Sequence, residues 1–497
     1  MRCLPTTIRQ TVTMLGLFAL LAAHGQSLCA QTISTNKPWS YLLLGDSYLL
    51  DDCPLCDRVA IEAPLRGTFQ LRLLENNPLF SRYALENIDF KTTFPRTYTV
   101  KGSGTFQIGG EVALVQQMFL EVQIDDGGGS KLCYFTNSSV MVDRPWPMMD
   151  VTVVQTNGTL AQLYTLRLAA APVREIWFST VSSFTAGSGA SASSVFGGDL
   201  ISTSGRVVKR NSELYTAVGA MPPGPDLGLD AIDILPGAEM AFSLGVDIFS
   251  ETLGQLHHGD LLSNKGRILR RNQDVLAAFR PNPATNDVGL DAVQVLESGE
   301  ILFSIASNVF SAQLGVMLHR GDLLSSSGLV VRSNQQLLSR FHPPTGNDYG
   351  LDALYIWPIS GEIWFSTEQG FQDQALGAIA AGDLLSDQGY IVFNNRDLLN
   401  AFAPSQTTMD FGLDALYVVT DAITPAPRPR LDMVAKPGTR SAGLAWPTAE
   451  GRVFQVERAA AITDLLQPLS PIIPDLSFDD LGALTNRAQS YYRLRQW

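Results

Sequence analysis

The sequence contains four tandem copies of one unit of about 61 residues between Glu175 and Val419. Three landmarks recur in each copy: a Gly-Asp pair, an Asn twelve residues after that Asp, and a Gly-Leu-Asp triplet. The Gly-Asp aspartates are Asp199, Asp260, Asp322 and Asp383, and the asparagines are Asn211, Asn272, Asn334 and Asn395. Because the landmarks hold their spacing over four copies, the middle of the chain must fold as one structural unit repeated four times.

The last copy shows what one unit forms. Two short apolar runs, Leu351 to Trp357 and Glu362 to Ser366, flank a turn and predict a β-hairpin. Asp383 to Ser386 and Tyr390 to Asn394 predict a second pair of strands. Four strands in a unit of this length indicate a blade of a β-propeller.

Two connections complete the predicted unit. Asn395 precedes leucines spaced for a single helical turn, which we expect the Asn side chain to cap. The stretch from Ser366 to Gly382 predicts a long loop.

The ends of the repeat region indicate how it closes. Leu413 to Val419 matches the first strand of a hairpin but has no second strand after it. Glu175 to Thr180 matches a second strand and has only Leu163 to Ala170 as an upstream partner. We therefore predict that the two ends pair, which gives four blades. A fifth blade from the N-terminal region is the alternative, and an open stack is the third choice because it leaves strand edges unpaired.

Two β modules are predicted on either side of the repeats, so the expected fold class is mostly β. Residues 31–160 alternate apolar and polar side chains, as in Phe119 to Ile124, and predict an antiparallel sandwich or barrel. The repeats are assigned to 161–421. A Pro-rich linker at 422–430 leads to a final module at 431–497.

The final module carries an early Trp446, an alternating strand with Phe454 and Val456, and a late strand with Tyr491 and Tyr492. In these features it resembles a fibronectin type III module. The resemblance implies a β-sandwich that serves in spacing or adhesion. The three-part plan also resembles that of exported bacterial proteins.

Residues 1–30 have the layout of a cleaved secretory signal peptide. Arg2 and Arg9 precede the apolar run Val12 to Ala23, and a polar stretch follows. No later segment is long enough to cross a bilayer. We expect a secreted or cell-surface protein.

Charge and cysteine content limit the partners. The net charge is −13 and the basic residues are scattered, which excludes nucleic-acid binding through a basic stripe. A glycan, a peptide or another exported protein is the expected partner. Cys53, Cys56 and Cys133 remain after the leader. Either Cys53 or Cys56 bonds to Cys133, or the first two bond to each other.

The candidate metal ligands are the aspartates of an acidic motif that recurs in each copy. Each copy contains Asp-x-Gly-Leu-Asp, formed by Asp226 and Asp230, Asp287 and Asp291, Asp348 and Asp352, and Asp410 and Asp414. Two carboxylates four residues apart could supply part of a calcium shell. Alternatively, these aspartates accept backbone N–H groups in turns. Asp291→Asn should destabilise the fold under either interpretation.

One segment suggests catalysis. Gly45-Asp46-Ser47 resembles the first block of GDSL-type lipases and esterases, in which the serine is the nucleophile. The mature chain has no Asp-x-x-His block to supply the base. The expected function is therefore an exported binding or scaffold protein without enzymatic activity. The alternatives are a propeller-type hydrolase acting on extracellular glycan or ester, and a calcium-stabilised adhesion protein.

Overall fold

The computed structural model describes residues 38–497 apart from short gaps, and the fold is mostly antiparallel β-sheet. The gaps are at 57, 93, 112, 143, 145, 188–191, 222, 223, 225, 286, 345, 359, 408, 409, 423–426, 428, 449, 462–465, 482 and 484–489. The predicted signal peptide, residues 1–30, lies outside the described residues. Within them, no helix has the length and apolar character needed to cross a membrane.

The N-terminal region is built from long strands. Their bounds are β1 (Trp39–Leu43), β2 (Tyr48–Asp52), β3 (Ile61–Pro64), β4 (Arg66–Asn76), β5 (Phe80–Thr92), β6 (Tyr98–Gly109), β7 (Val115–Asp125), β8 (Ser130–Thr136), β9 (Val140–Met141), β10 (Met149–Gln155) and β11 (Leu163–Phe178). Antiparallel pairing runs through β1, β4, β5, β6, β7, β8, β10 and β11, and β11 pairs again with β1. Every second residue of β7 is buried, so one face of this closed circuit forms a core.

Strand β11 joins the N-terminal region to the repeats. Its first part pairs with β1, β2 and β10, and its last part, from Val173 to Phe178, pairs with the end of the repeat region. Leu163 to Ala170 is thus not a hairpin partner of Glu175 to Thr180, because both lie along one continuous extended segment. The two regions share a strand and have no linker near residue 160.

The repeat region contains short strands. Their bounds are β12 (Phe184–Ala186), β13 (Ser193–Val195), β14 (Leu200–Ser202), β15 (Arg206–Lys209), β16 (Ala220–Met221), β17 (Ala231–Leu235), β18 (Glu239–Ser243), β19 (Ile248–Ser250), β20 (Gly254–Leu256), β21 (Leu261–Ser263), β22 (Arg267–Arg270), β23 (Val293–Val295), β24 (Ile301–Phe303), β25 (Val309–Ser311), β26 (Val316–Leu318), β27 (Leu323–Ser325), β28 (Leu329–Arg332), β29 (Leu354–Ile356), β30 (Ile363–Phe365), β31 (Phe371–Asp373), β32 (Gly377–Ile379), β33 (Leu384–Ser386), β34 (Tyr390–Phe393) and β35 (Leu416–Thr420).

These strands form four sheets with one common order. Three are β17-β18-β21-β22, β23-β24-β27-β28 and β29-β30-β33-β34. The fourth is β35-β11-β14-β15, in which Ile176 is opposite Val418 and Trp177 is opposite Tyr417. The predicted pairing between the two ends of the repeat region is therefore confirmed. The two hairpins predicted for the last copy are confirmed as well.

The four sheets contact one another in a cycle. The first strand of each sheet lies beside the first strands of two others, in the order β17, β23, β29, β35 and back to β17. Four buried serine hydroxyls follow the same cycle, each donating to a leucine carbonyl in front of the next first strand. These bonds are Ser179 to Leu229 at 2.6 Å, Ser243 to Leu290 at 2.9 Å, Ser304 to Leu351 at 2.6 Å and Ser366 to Leu413 at 2.7 Å.

Each segment predicted as a long loop contains a small hairpin. The pairs are β12 with β13, β19 with β20, β25 with β26, and β31 with β32. In the last copy, Phe371 and Ile379 are opposite each other and both pack into the core. The sequence analysis missed these strands because each has only three residues.

A short helix follows the fourth strand of each sheet. The helices are α1 (Asn211–Tyr215), α2 (Asn272–Val275), α3 (Asn334–Leu337) and α4 (Asn395–Leu398), and single 3-10 turns lie at Thr216–Val218, Ala277–Phe279, Asn400–Phe402 and Pro437–Thr439. The repeated Asn was expected to cap the helix. In the last copy, however, the cap position belongs to Asn394, and Asn395 is the first helical residue.

The repeated Asn instead ties three segments together. The buried Asn395 amide donates to the carbonyls of Gly382 at 3.2 Å and Gly412 at 3.0 Å. Its oxygen accepts the N–H of Phe411 at 2.9 Å. The same set of bonds is made by Asn211, Asn272 and Asn334. Losing such a side chain would leave several buried backbone groups without partners.

The C-terminal region forms two three-stranded sheets. The strands are β36 (Asp432–Lys436), β37 (Ser441–Ala445), β38 (Phe454–Ala459), β39 (Gln467–Pro468), β40 (Ser477–Asp480) and β41 (Tyr491–Gln496). One sheet has the order β36-β37-β40 and the other β39-β38-β41. Trp446 packs 5.7 Å from the ring of Phe454, in a cluster that also holds Leu444 and Val456. Val453 and Trp497 pack into the core of the repeats.

Candidate functional site

The second aspartate of each acidic motif follows a leucine whose carbonyl accepts one of the serine hydrogen bonds described above. Asp230 follows Leu229, whose carbonyl accepts from Ser179, and it directly precedes β17. The equivalent positions precede β23, β29 and β35. Since these four strands contact one another in a cycle, the four carboxyl groups meet at one end of the cycle. We refer to Asp230, Asp291, Asp352 and Asp414 as the carboxylate ring.

Burial and mutual repulsion raise the pKa values in the carboxylate ring. Burial, with Asp414 nearby, raises the pKa of Asp230 to about 7. Burial, with Asp230 nearby, raises the pKa of Asp291 to about 8. Burial also holds the pKa of Asp352 well above its usual range, and Asp414 and Asp291 add to this. The pKa of Asp414 is raised to about 7 by burial. These interactions link neighbours in the cyclic order of the sheets, and Asp291 also raises the pKa of Asp414 across the ring.

The carboxylate ring is deep but wetted. Asp291 is 8% exposed, and the other three members are partly exposed, so solvent reaches them from one side. His258 lowers the pKa values of Asp230 and Asp291, and Arg320 also lowers that of Asp291. The largest influences on the pKa values of Asp352 and Asp414 are burial and neighbouring carboxyl groups.

One carboxylate outside the repeat pattern lies close to the carboxylate ring. Glu368 raises the pKa values of Asp291 and Asp352. Its Oε2 is 2.6 Å from Nη1 of Arg320, so it already has a partner. A hydrolase would require acids of different kinds to converge at the carboxylate ring. Among the described residues, Glu368 is the acid outside the repeat pattern that we find there, and Arg320 already neutralises it.

The first aspartate of each acidic motif has a different environment. Asp410 Oδ1 accepts the N–H groups of Gly412 and Gly382, each at 3.0 Å. Asp226 Oδ1 likewise accepts from Gly228 and Gly198, each at 3.1 Å. The bond to the glycine two residues on also occurs at Asp287 and Asp348. These carboxylates are therefore acceptors in Asx-type turns.

The two aspartates of one acidic motif therefore do not act together as a pair of calcium ligands. Among the described residues, the group of three or more metal-ligating side chains whose atoms all lie within 4.8 Å of one another is Asp247, His257 and Asp287. The carboxylate ring does not reach that spacing in any group of three. Calcium–oxygen distances are about 2.4 Å, so three ring members do not fit a shared, directly coordinated calcium ion in this arrangement.

The residues three positions beyond the ring differ from copy to copy. Asp233 is buried, which raises its pKa to about 7, and its Oδ2 accepts the N–H of Val295 at 2.7 Å. Gln294 holds the equivalent place in the next sheet and accepts the N–H of Ile356 at 2.7 Å. Gly451 of the C-terminal region packs against the carbonyl of Ile234 at the far end of β17. The carboxylate ring is therefore at the end of the cycle away from this packing.

The segment that resembles a lipase block does not present a nucleophile. Ser47 is 1% exposed, and its hydroxyl donates to the carbonyl of Ala169 at 2.9 Å and accepts the N–H of Ala169 at 3.0 Å. Asp46 pairs with Arg144 at 2.6 Å. This serine serves to fasten the turn after β1 to β11.

Of the three cysteines in the described residues, two form a disulfide and one is a free thiol. A disulfide joins Cys53 to Cys56, across the short loop. Cys133 on β8 is free and buried, and burial raises the pKa of its thiol. The alternatives that linked Cys133 to either of the others do not occur in this structure.

Comparison with protein-family models gives no match, and comparison with curated proteins gives none either. The site must therefore be interpreted from its own geometry. The sequence analysis selected all four members of the carboxylate ring, but it did not predict that they meet. The cyclic closure of the sheets was the available signal, since identical positions in a closed repeat must converge at one end.

Proposed function

We propose that this chain is an exported binding protein whose carboxylate ring holds a cationic group of its partner. The body is a four-bladed β-propeller, in which the four equivalent sheets are the blades. An N-terminal β-barrel is supported by the closed circuit of pairings from β1 to β11. A fibronectin type III-like sandwich is supported by the two C-terminal sheets around Trp446. The leader-like residues 1–30 support export.

The observation that carries the proposal is the convergence of four carboxyl groups with raised pKa values. Repulsion between neighbours is unfavourable in the free protein, because each ionised group is partly desolvated and close to another. A cation at the ring would remove that repulsion and make charge-assisted hydrogen bonds. Binding energy is therefore available to a positively charged ligand and not to a neutral one.

The spacing of the ring favours an organic cation. Three ring members do not come close enough to coordinate one bare calcium ion directly. A lysine ammonium donates three hydrogen bonds and can reach separate carboxylates. The net charge of −13 would also attract a basic partner over long range. A basic segment of an exported peptide or protein is thus the proposed ligand.

The test is isothermal titration of the purified chain with a lysine hexapeptide and with the same peptide acetylated on each side chain. We expect binding of the first peptide alone, with an affinity that falls as salt is raised. Asp291→Asn combined with Asp352→Asn should weaken binding by at least about tenfold. Asp89→Asn, which removes an exposed carboxylate on β5, is the matched control. Equal binding of both peptides, or no effect of the double variant, would refute the proposal.

A second function, hydrolysis of an extracellular glycan or ester, is favoured by one observation. Asp352 and Asp414 interact so that the pKa of Asp352 is raised and that of Asp414 is lowered, against the rise that burial gives both. General acid–base catalysis uses such a pair. Release of nitrophenol from glycoside and ester substrates would test it. Turnover that is abolished in both Asp352→Asn and Asp414→Asn would favour the hydrolase, and turnover unchanged in either would exclude this pair as its catalyst.

A further inference from the structure

Two histidines and two aspartates form a cluster in the second copy of the repeat. Asp247 Oδ2 lies 3.1 Å from Nδ1 of His257, and its Oδ1 lies 3.0 Å from Nδ1 of His258. Asp287 Oδ2 lies 2.8 Å from the same nitrogen of His258. One ligand atom each of Asp247, His257 and Asp287 lies within 4.8 Å of the others.

The third copy has the same backbone but a different set of side chains. The N–H of His258 donates to Asp247 at 2.9 Å, and the equivalent N–H of Arg320 donates to Asn308 at 2.9 Å. His319 occupies the position equivalent to His257. The N–H of His257 donates to Asp260, and the N–H of His319 donates to Asp322. The repeat therefore explains the shape of this loop, while the two acids that flank His258 are a feature of copy two.

A buried carboxylate oxygen is directed into the cluster without a hydrogen bond. The Asp287 side chain is 10% exposed, and its Oδ1 accepts the N–H of Gly289 in the Asx turn. Its Oδ2 is buried and accepts no hydrogen bond, although His258 Nδ1 is close enough for an ion pair. The side chains of Asp247 and His257 are 48% and 31% exposed, so an ion can enter from solvent. The cation beside this oxygen in the free protein is His258, because its contacts with Asp287 and Asp247 raise its pKa to about 9.

We propose that Asp247, His257 and Asp287 bind a divalent transition metal ion of the zinc class. One imidazole and two carboxylates match the ligands of Zn²⁺, whose usual coordination number of four leaves one position for water. Ca²⁺ prefers oxygen ligands, so an imidazole nitrogen would not favour it. This site uses none of the four members of the carboxylate ring, and the proposal does not depend on the proposed binding of a basic partner.

The test is titration of the full chain, purified with chelator, with Zn²⁺ alone. We expect one ion per chain and an upward shift in the melting temperature on zinc addition. Asp247→Asn should weaken zinc binding by more than about tenfold. This variant should fold, because Asn308 makes the same backbone bond in copy three. His257→Gln should have the same effect on zinc, and His319→Gln, at the matched position of copy three, should have none.

Cobalt gives an independent readout of the ligands. Co²⁺ bound by nitrogen and oxygen should lack the thiolate charge-transfer band that binding to Cys133 would produce. Absence of zinc binding in the unaltered chain would overturn the proposal. So would equal affinity in Asp247→Asn, His257→Gln and His319→Gln, or a thiolate band with cobalt.

Discussion

The carboxyl groups of Asp352 and Asp414 interact with each other, although the two residues belong to consecutive copies of the repeat. Burial raises the pKa of both, and the interaction between them raises that of Asp352 further and lowers that of Asp414. The folded protein therefore retains protons here at pH values where an unfolded chain has lost them. Aspartate in unfolded chains titrates near pH 4.

The first prediction is that stability falls as pH rises between about 5 and 8. In that window the raised pKa values of Asp230 and Asp414, about 7, and of Asp291, about 8, keep protons on the folded state. The unfolded state binds fewer protons, so each proton retained costs about 1.4 kcal/mol of unfolding free energy per pH unit as pH rises. Urea denaturation at pH 5, 6.5 and 8 measures the effect. A free energy of unfolding that rises steadily over this range would contradict it.

The second prediction concerns Asp291→Asn and reverses the expectation from sequence. Among the described residues no backbone N–H donates to this side chain, and its neighbours are Asp230, Glu368, His258 and Arg320. Asn has the shape of the acid without its charge. We expect the variant to be more stable than the unaltered chain by about 2 kcal/mol at pH 8 and equal to it near pH 5.

Urea denaturation of Asp291→Asn and of Asp89→Asn at both pH values makes the comparison. Asp89 is exposed on β5, so its replacement should change stability little at either pH. A loss of stability at pH 8 in Asp291→Asn would restore the turn interpretation for this residue.

Features with a local pattern could be predicted from the sequence. The hairpin at Leu354–Ile356 and Ile363–Phe365 follows from alternation around a turn. The pairing of Ile176 with Val418 follows because each end of the repeat lacked the partner that the other supplies. Neither inference needed side-chain geometry.

Features that depend on contacts between copies could not be predicted. The approach of Asp352 to Asp414 depends on the tilt of the first strands, which the pattern does not specify. The boundary at residue 160 assigned the whole of β11 to the repeats, although the first part of this strand pairs with β1, β2 and β10. The cluster at Asp247 carried one weak signal: His258 and Arg320 occupy a position that is glycine in copy one and alanine in copy four.

The third prediction concerns the thiols. Cys53 and Cys56 form a disulfide, and the Cys133 thiol is buried with a raised pKa. Native chain should therefore resist alkylation by iodoacetamide at Cys133, and chain in urea should be alkylated there without reduction. Peptide mass mapping gives the assignment. A peptide that links Cys133 to another cysteine would contradict it.

The fourth prediction is that Asn272→Ala destabilises the protein strongly. The side chain donates to the carbonyls of Gly259 and Gly289 at 3.1 Å and accepts the N–H of Val288 at 3.0 Å. Alanine leaves these three buried groups without partners, at a cost of about 2–4 kcal/mol. Thermal melting of Asn272→Ala and of Gln273→Ala measures it, since Gln273 is the exposed next residue of the same helix. Equal melting temperatures would show that the asparagine is dispensable.

The fifth prediction tests the closure of the cycle. Ser179 donates to Leu229 at 2.6 Å and also accepts the N–H of Ala415 at 2.8 Å, so it connects the first copy to the end of the last. Ser304 donates to Leu351 between consecutive copies. Each Ser→Ala change should cost about 1–3 kcal/mol, because a buried carbonyl loses its donor.

The comparison of the two variants distinguishes a closed cycle from an open stack. In a closed cycle, Ser179→Ala should cost more than Ser304→Ala, because the Ser179 side chain makes one more hydrogen bond, to the N–H of Ala415. In an open stack the Ala415 contact would not exist, and the two changes should cost the same. Urea denaturation of both variants under one buffer condition decides between them, since both hydroxyls are buried and the removed atoms are the same.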